Sequence, residues 1–284
     1  MPVIAVATDF STRSDRAIRR AELLAEQAGH DLLLVHVIDD DQPQRLIDAA
    51  WASCDELLRE FQETIASRSG LTVRTALRTG EDFQQIPLAA QEAKAELIVM
   101  GPHRRQIAGS AFRGTTAERT IRRSTVPVLV ANAPPASPHR RVLFTAKLDA
   151  ASTASIRRFQ NSPYLGDADR MLLHVYDSID KEMLSRAMVP GDERQNRLAQ
   201  DKLLASKALT RFIDEHGLNI DHPIVRESCG RVAADILAVA AERQADLVAV
   251  APGAKSVFEV AILGRVSLAV LRQAECDVLI IPAS

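Results

Sequence analysis

The stretch from Met100 to Arg119, MGPHRRQIAGSAFRGTTAER, carries the residues of this chain best suited to holding a phosphate. Gly101 and Gly114 bracket a loop with Arg104, Arg105 and Arg113, and the loop runs into Thr115-Thr116, where a helix is expected to start. A helix N-terminus leaves backbone N–H groups unpaired and carries the positive end of the dipole, so it favours anions. Glycine lets the backbone approach a ligand closely or adopt positive φ. An arginine fork adds charge-assisted hydrogen bonds to phosphate oxygens. The same residues also have a ligand-free explanation. Thr115-x-x-Glu118 reads as a capping box, and Arg122 and Arg123 complement the negative pole at the far end of the helix. Spacing alone leaves both readings open.

Other chemistries find little support. No Ser-His-Asp arrangement or spaced carboxylate pair points to a hydrolase, and neither a G-x-x-x-x-G-K-[ST] loop nor a G-x-G-x-x-G turn is present. No catalytic residue and no metal ligand is therefore assigned. Cys54, Cys229 and Cys276 lie far apart without C-x-x-C or zinc spacing, so buried thiols in a reducing compartment are expected. His36 and His174 fall at matching places in "LLVHV" and "MLLHV" and read as packed, hydrogen-bonded strand histidines. Lys+Arg total 35 against 37 Asp+Glu, a net charge of −2 that argues against bulk attraction to nucleic acid. Aromatic residues make up 4% and only Phe112 falls among the arginines of 104–123, which also speaks against single-strand stacking. The N-terminus runs straight into "PVIAVATDF" without a basic leader, and no apolar run approaches the roughly 18 residues of a membrane span. A soluble, cytoplasmic protein is expected.

The elements that would position the loop come from a repeat. "VIAVATDFSTRSDRAIRR" (Val3–Arg20) lies over "RVLFTAKLDAASTASIRR" (Arg141–Arg158) at an offset of 138. "AELIVMGPHRR" (Ala95–Arg105) lies over "ADLVAVAPGAK" (Ala245–Lys255), and "STVPVLVAN" over "AECDVLIIP", both at an offset of 150. Two domains follow, residues 1–135 and 139–284, joined by "ANAPPASPHRR", whose three prolines predict a stiff linker. In each, short continuous apolar runs such as "DLLLVHVI" alternate with helical patterns. One such pattern is the stripe Ile47, Trp51, Cys54, Leu58, Phe61 and Ile65. That alternation predicts an α/β fold: two tandem, doubly wound parallel-sheet domains of Rossmann-like type. Ligands of such sheets bind beyond the carboxyl ends of the strands, where the strand order reverses.

"ATDFS" after the first strand, "LLLVHVID" as the second, and "MGPHRR…GTTAERTIRRSTVPVLV" together resemble the universal stress protein family, once per half. ATP-binding members of that family share G-x2-G-x9-G-[ST] after the fourth strand. Gly101, Gly114 and Thr115 match it, while Arg104 stands where the second glycine belongs. The resemblance implies adenine near Ala7, Thr8, Asp9 and Val37, with Met100 beside it. It implies phosphates, with or without magnesium, on Gly101, His103, Gly114, Thr115 and Thr116. Arg104, the departure from the pattern, either clamps phosphate with its guanidinium fork or obstructs the pocket where a glycine would leave it open. In the second half Ala251 and Ala254 replace the first two glycines, Arg265 the hydroxyl and Lys147 the acid, so that copy is expected to be degenerate. The resemblance further implies that the last strands of the two halves pair as an intramolecular pseudo-dimer. It also implies that whole chains form a homodimer, and that the role is regulation in a stress response rather than catalysis. Two alternatives remain: a nucleotide-independent interaction module with both pockets vestigial and unidentified protein partners, and an adenine-nucleotide enzyme.

Overall fold

The computed structural model describes residues 1–102, 115–177, 191–251 and 264–282, without the side chains of 191–194. His103, Arg104, Arg105, Arg113, Gly114, Ala254 and Lys255 lie outside the described residues. The first half runs β1 (Val3–Ala7), α1 (Thr12–Ala28), β2 (Asp31–Ile38), α2 (Gln44–Ser69), β3 (Val73–Thr79), α3 (Asp82–Glu92), β4 (Ala95–Met100), α4 (Thr116–Arg123) and β5 (Val128–Val130). The second runs β6 (Arg141–Thr145), α5 (Ala150–Gln160), β7 (Asp169–Tyr176), α6 (Gly191–His216), β8 (His222–Glu227), α7 (Val232–Glu242), β9 (Leu247–Val250), α8 (Arg265–Gln273) and β10 (Asp277–Ile280).

Among the described residues the strands form one sheet, ordered β3-β2-β1-β4-β5-β10-β9-β6-β7-β8. Alternate residues of each strand feed two apolar layers. Ile4 and Val6 pack with helices α1, α2, α5 and α6, whereas Val3 and Ala5 pack with α3, α4, α7 and α8. Burial on both faces explains why the strand sequences are almost unbroken runs of Val, Ile, Leu and Ala. Pairing is parallel within each half and antiparallel only at the seam between β5 and β10. There Leu129 faces Leu279. These are equivalent residues at the repeat offset of 150, so the pseudo-twofold axis passes through them. The repeat extends to strained backbone. Phe10 and Leu148 both sit at φ 57, and Lys94 and Gln244 at φ 54 and 53, each pair at the offset read from the sequence.

Ion pairs clamp the seam on both faces. On the α1 side the Asp277 carboxylate, fully buried, meets Arg20 Nε at 2.7 Å and His139 Nε2 at 2.9 Å, and accepts the Ala133 N–H at 3.0 Å. Arg20 also donates to the Ser137 carbonyl at 2.7 Å. The linker is thus pinned along its length by side chains from both halves, beyond the stiffness its prolines supply. On the other side Arg272 of α8 holds Glu118 of α4 through two bonds, 2.7 and 3.0 Å.

Three expectations are corrected. The α2 stripe is narrower than its periodicity, because the helix lies over the sheet edge at β3. Ile47, Leu58 and Ile65 are buried, while Trp51 is 42% exposed. The cysteines are not uniformly buried: Cys229 is exposed on the loop after β8, and Cys54 and Cys276 are partly buried. Burial, then the neighbouring Asp277, pushes the Cys276 thiol up to about 11, so it stays protonated at neutral pH. Glu118 serves Arg272 across the seam, because its carboxylate points to α8 rather than back to its own helix start.

Replacing Asp277 with Ala leaves Arg20 buried without its counter-charge. The expected loss is about 3–5 kcal/mol in denaturant unfolding, against well under 1 kcal/mol for removing the exposed Arg211–Glu215 pair.

Candidate functional site

β1 crosses to β2 on one side and neighbours β4 on the other, so the strand order reverses at the carboxyl end of β1. A cavity of about 600 Å³ opens there. Ala7, Thr8, Asp9, Val37, Met100, Gly101, Thr115 and Thr116, named from the sequence, all line it. The remaining named residues, His103, Arg104 and Gly114, belong to the segment that is not described. Arg13, Ser14, His36, Asp82 and Ile86 also line it and were not singled out for the site.

The corner after β1 is tied by its own side chains. The Ser11 N–H donates to Asp9 Oδ1 at 3.1 Å, an Asx turn, and the Ser11 hydroxyl donates to the same oxygen. Thr8 Oγ1 accepts from the Phe10 N–H at 3.1 Å, and the Thr8 and Ser14 hydroxyls lie 3.1 Å apart. Arg13 approaches Asp9 at 3.8 Å. Partial burial raises the Asp9 carboxyl, but the Ser11 and Ser14 hydrogen bonds and Arg13 outweigh it and hold the group below the ordinary range. Asp9 is therefore a fixed, ionised acceptor at neutral pH. His36 Nδ1 lies 2.8 Å from the Thr8 carbonyl, which can only accept, so Nδ1 carries the proton. His174 repeats the arrangement with Ala146 at 3.1 Å. Both are the hydrogen-bonded strand histidines read from the sequence.

Gly101 is needed for space rather than for positive φ. A Cβ there would stand 2.6 Å from the Arg13 carbonyl oxygen, so the glycine lets β4 end against the first turn of α1. Thr115 caps α4, accepting the Glu118 N–H at 3.2 Å. Arg119 stacks 3.4 Å over the Phe83 ring and pairs with Glu81 at 2.7 Å, with Arg123 4.8 Å from the same ring. These two arginines are committed within the fold. Asp82, the first residue of α3, faces Thr116, the first residue of α4, with Thr116 Oγ1 donating to its carboxylate at 3.4 Å. Burial pushes the Asp82 carboxyl up, with Asp39 adding to it, against the Thr116 hydroxyl, the backbone N–H of Asp82 itself and His36.

The second half keeps the scaffold and changes the chemistry. Lys147 stands at the Asp9 position, Val232 at that of Asp82 and Ala251 at that of Gly101. The acid moves two residues on, to Asp149, where it caps α5 by accepting the Ser152 N–H at 2.8 Å. Helix α8 starts at Arg265 behind Gly264, with no side-chain cap. Among the described residues no group of three or more His, Cys, Asp or Glu is placed to hold a metal, and no helix is long and apolar enough to cross a membrane.

Replacing Gly101 with Ala forces β4 and α1 apart. A destabilisation of about 1–3 kcal/mol is expected in thermal or denaturant unfolding, as for an overpacked core site.

The sequence matches the model of the Universal stress protein family twice, over residues 1–132 and 140–282. It is 30% identical over 139 residues to Universal stress protein MJ0531 of Methanocaldococcus jannaschii, covering 46% of this chain and 82% of that one. Its fold is similar to a universal stress protein from Archaeoglobus fulgidus (TM-score 0.71, 19% identity, 99% of this chain and 98% of that one). It is also similar to a putative universal stress protein from Pseudomonas aeruginosa (TM-score 0.65, 17% identity, 99% and 92%). Two copies of the family's domain, joined by their last strands into one sheet, make this chain a tandem member of the universal stress protein family.

Proposed function

We propose that the chain is a nucleotide-responsive regulator of a stress response that binds one ATP, in the cavity of its first half. The observation that carries this reading is the cavity itself. It lies at the strand-order reversal, is large enough for a small-molecule ligand, and brings eight separately named residues from β1, β2, β4 and the start of α4 around one space. Asp9 offers an ionised acceptor to the exocyclic amine of the base. Val37 and Met100 supply apolar contact. The first turn of α4 supplies unpaired N–H groups to phosphate. His103, Arg104 and Gly114 belong to the same site by the sequence pattern. Asp9 is a weak base in its depressed state, which favours binding over dedicated hydrolysis. The second half keeps the fold for the seam and carries Lys147 where a base-reading acid would stand. Homodimerisation of whole chains belongs to the same proposal.

A second reading, an interaction module that needs no nucleotide, is favoured by one feature. Leu46, Trp51 and Leu57 are all exposed on α2.

The two readings part in a thermal-shift series with ATP, ADP, AMP and no ligand. ATP at 100 times its dissociation constant adds about 2.7 kcal/mol of stability. Asp9→Ala is expected to weaken ATP about tenfold or more by removing a charged hydrogen-bond acceptor, while Lys147→Ala leaves it unchanged. No shift with any nucleotide favours the interaction module.

A further inference from the structure

The start of α4 is only half capped. The Glu118 N–H donates to Thr115 Oγ1 at 3.2 Å, which is the first bond of a capping box. The second bond would run from the Thr115 N–H to the Glu118 carboxylate. Among the described residues that carboxylate is held instead by Arg272 of α8, with both oxygens, at 2.7 and 3.0 Å. It is 4% exposed, while the Arg272 side chain is 48% exposed. Thr115, Thr116 and Ala117 line the cavity. The first N–H groups of α4, which have no partner within the helix, are therefore left to the cavity wall.

The bond runs one way across the seam. At the repeat offset of 150, Glu118 corresponds to Leu268 and Arg272 to Arg122, so the start of α8 carries no acid for Arg122 to draw off. The pair is thus not a product of the pseudo-twofold symmetry. It stands beside the half that holds the large cavity. Without Arg272 the Glu118 carboxylate would be buried and unpaired, and its place in the helix puts the Thr115 N–H within reach. There it would occupy a donor that phosphate needs. It would also set a negative charge, able only to accept hydrogen bonds, beside phosphate oxygens of the same kind.

We infer that the second half holds the phosphate end of the first half's cavity open. Arg272 draws the Glu118 carboxylate across the seam, keeps it from closing the start of α4, and so sets the affinity for nucleotide phosphate. The inference rests on the reading of the cavity as a nucleotide site, and it adds how that site is controlled. Arg272 is a positioning residue that acts through Glu118.

The test is calorimetric titration of the whole protein with ATP and excess magnesium. Arg272→Ala is expected to weaken ATP about tenfold, the effect of a charged hydrogen-bond competitor at the helix start. Adding Glu118→Leu, the residue found at the equivalent place in the second half, removes the competitor. The double variant is expected to return to within about threefold of wild type. A pair that served only as a strut would give no recovery, because the double variant lacks the bond as fully as the single one. An affinity of Arg272→Ala within about twofold of wild type overturns the inference, as does a double variant no tighter than the single one, and in both cases the nucleotide reading survives. If wild type binds no ATP, the nucleotide reading falls and takes this inference with it. Melting of the unliganded variants checks that they are folded. Arg272→Met, which keeps the apolar stem and removes only the donors, repeats the test should the alanine variant unfold.

Discussion

The antiparallel pairing of β5 with β10 is the constraint on which the rest of the molecule depends. Each half alone would end its sheet in a short apolar strand, Val128–Val130 or Asp277–Ile280, with unpaired backbone along one edge. Pairing the two removes both edges and makes a single sheet. Leu129 against Leu279 fixes the register so that the halves meet about a pseudo-twofold axis. The ion pairs to Asp277 and Glu118 lie on opposite faces of this seam and hold the register. Because a one-residue slip would turn the inward side chains of either strand to the wrong layer, the seam tolerates little variation.

That demand explains what the two copies share and where they part. Positions that shape the sheet persist, down to the left-handed backbone at Phe10 and Leu148 and the histidines bonded to the β1 and β6 loops. Positions at the carboxyl ends of the strands do not affect the seam and have diverged. Asp9 faces a cavity, whereas its counterpart is a lysine and the nearby Asp149 has become a helix cap. Glu81 and Asp82 at the start of α3 correspond to Arg231 and Val232 at the start of α7. At these positions the first half carries Asp9, Glu81 and Asp82, and the second carries Lys147, Arg231 and Val232.

Much of this was legible in the sequence because it depends on local pattern. Continuous apolar runs gave the strands, the offsets of 138 and 150 gave the repeat, and the resemblance placed eight residues that line the cavity. What escaped depends on contacts between distant segments. Periodicity put Trp51 in the core, but α2 lies over an edge strand and only a narrow line of its surface finds cover. The spacing of Glu118 suggested a capping box, but the carboxylate has an arginine partner 154 residues away. Gly101 read as a ligand-facing glycine, yet the atom that excludes a side chain there is a carbonyl of α1. Asp82 drew no notice because an acid in the first turn of a helix is ordinary. Only the convergence of α3 and α4 places it on the cavity wall, facing Thr116.

The central claim is that a symmetric scaffold carries a single nucleotide site. Calorimetric titration of the whole chain with magnesium and ATP tests this most directly through its stoichiometry. The account predicts about one ATP per chain, bound by the first half. Two equivalents per chain, or none at saturating protein, would contradict it.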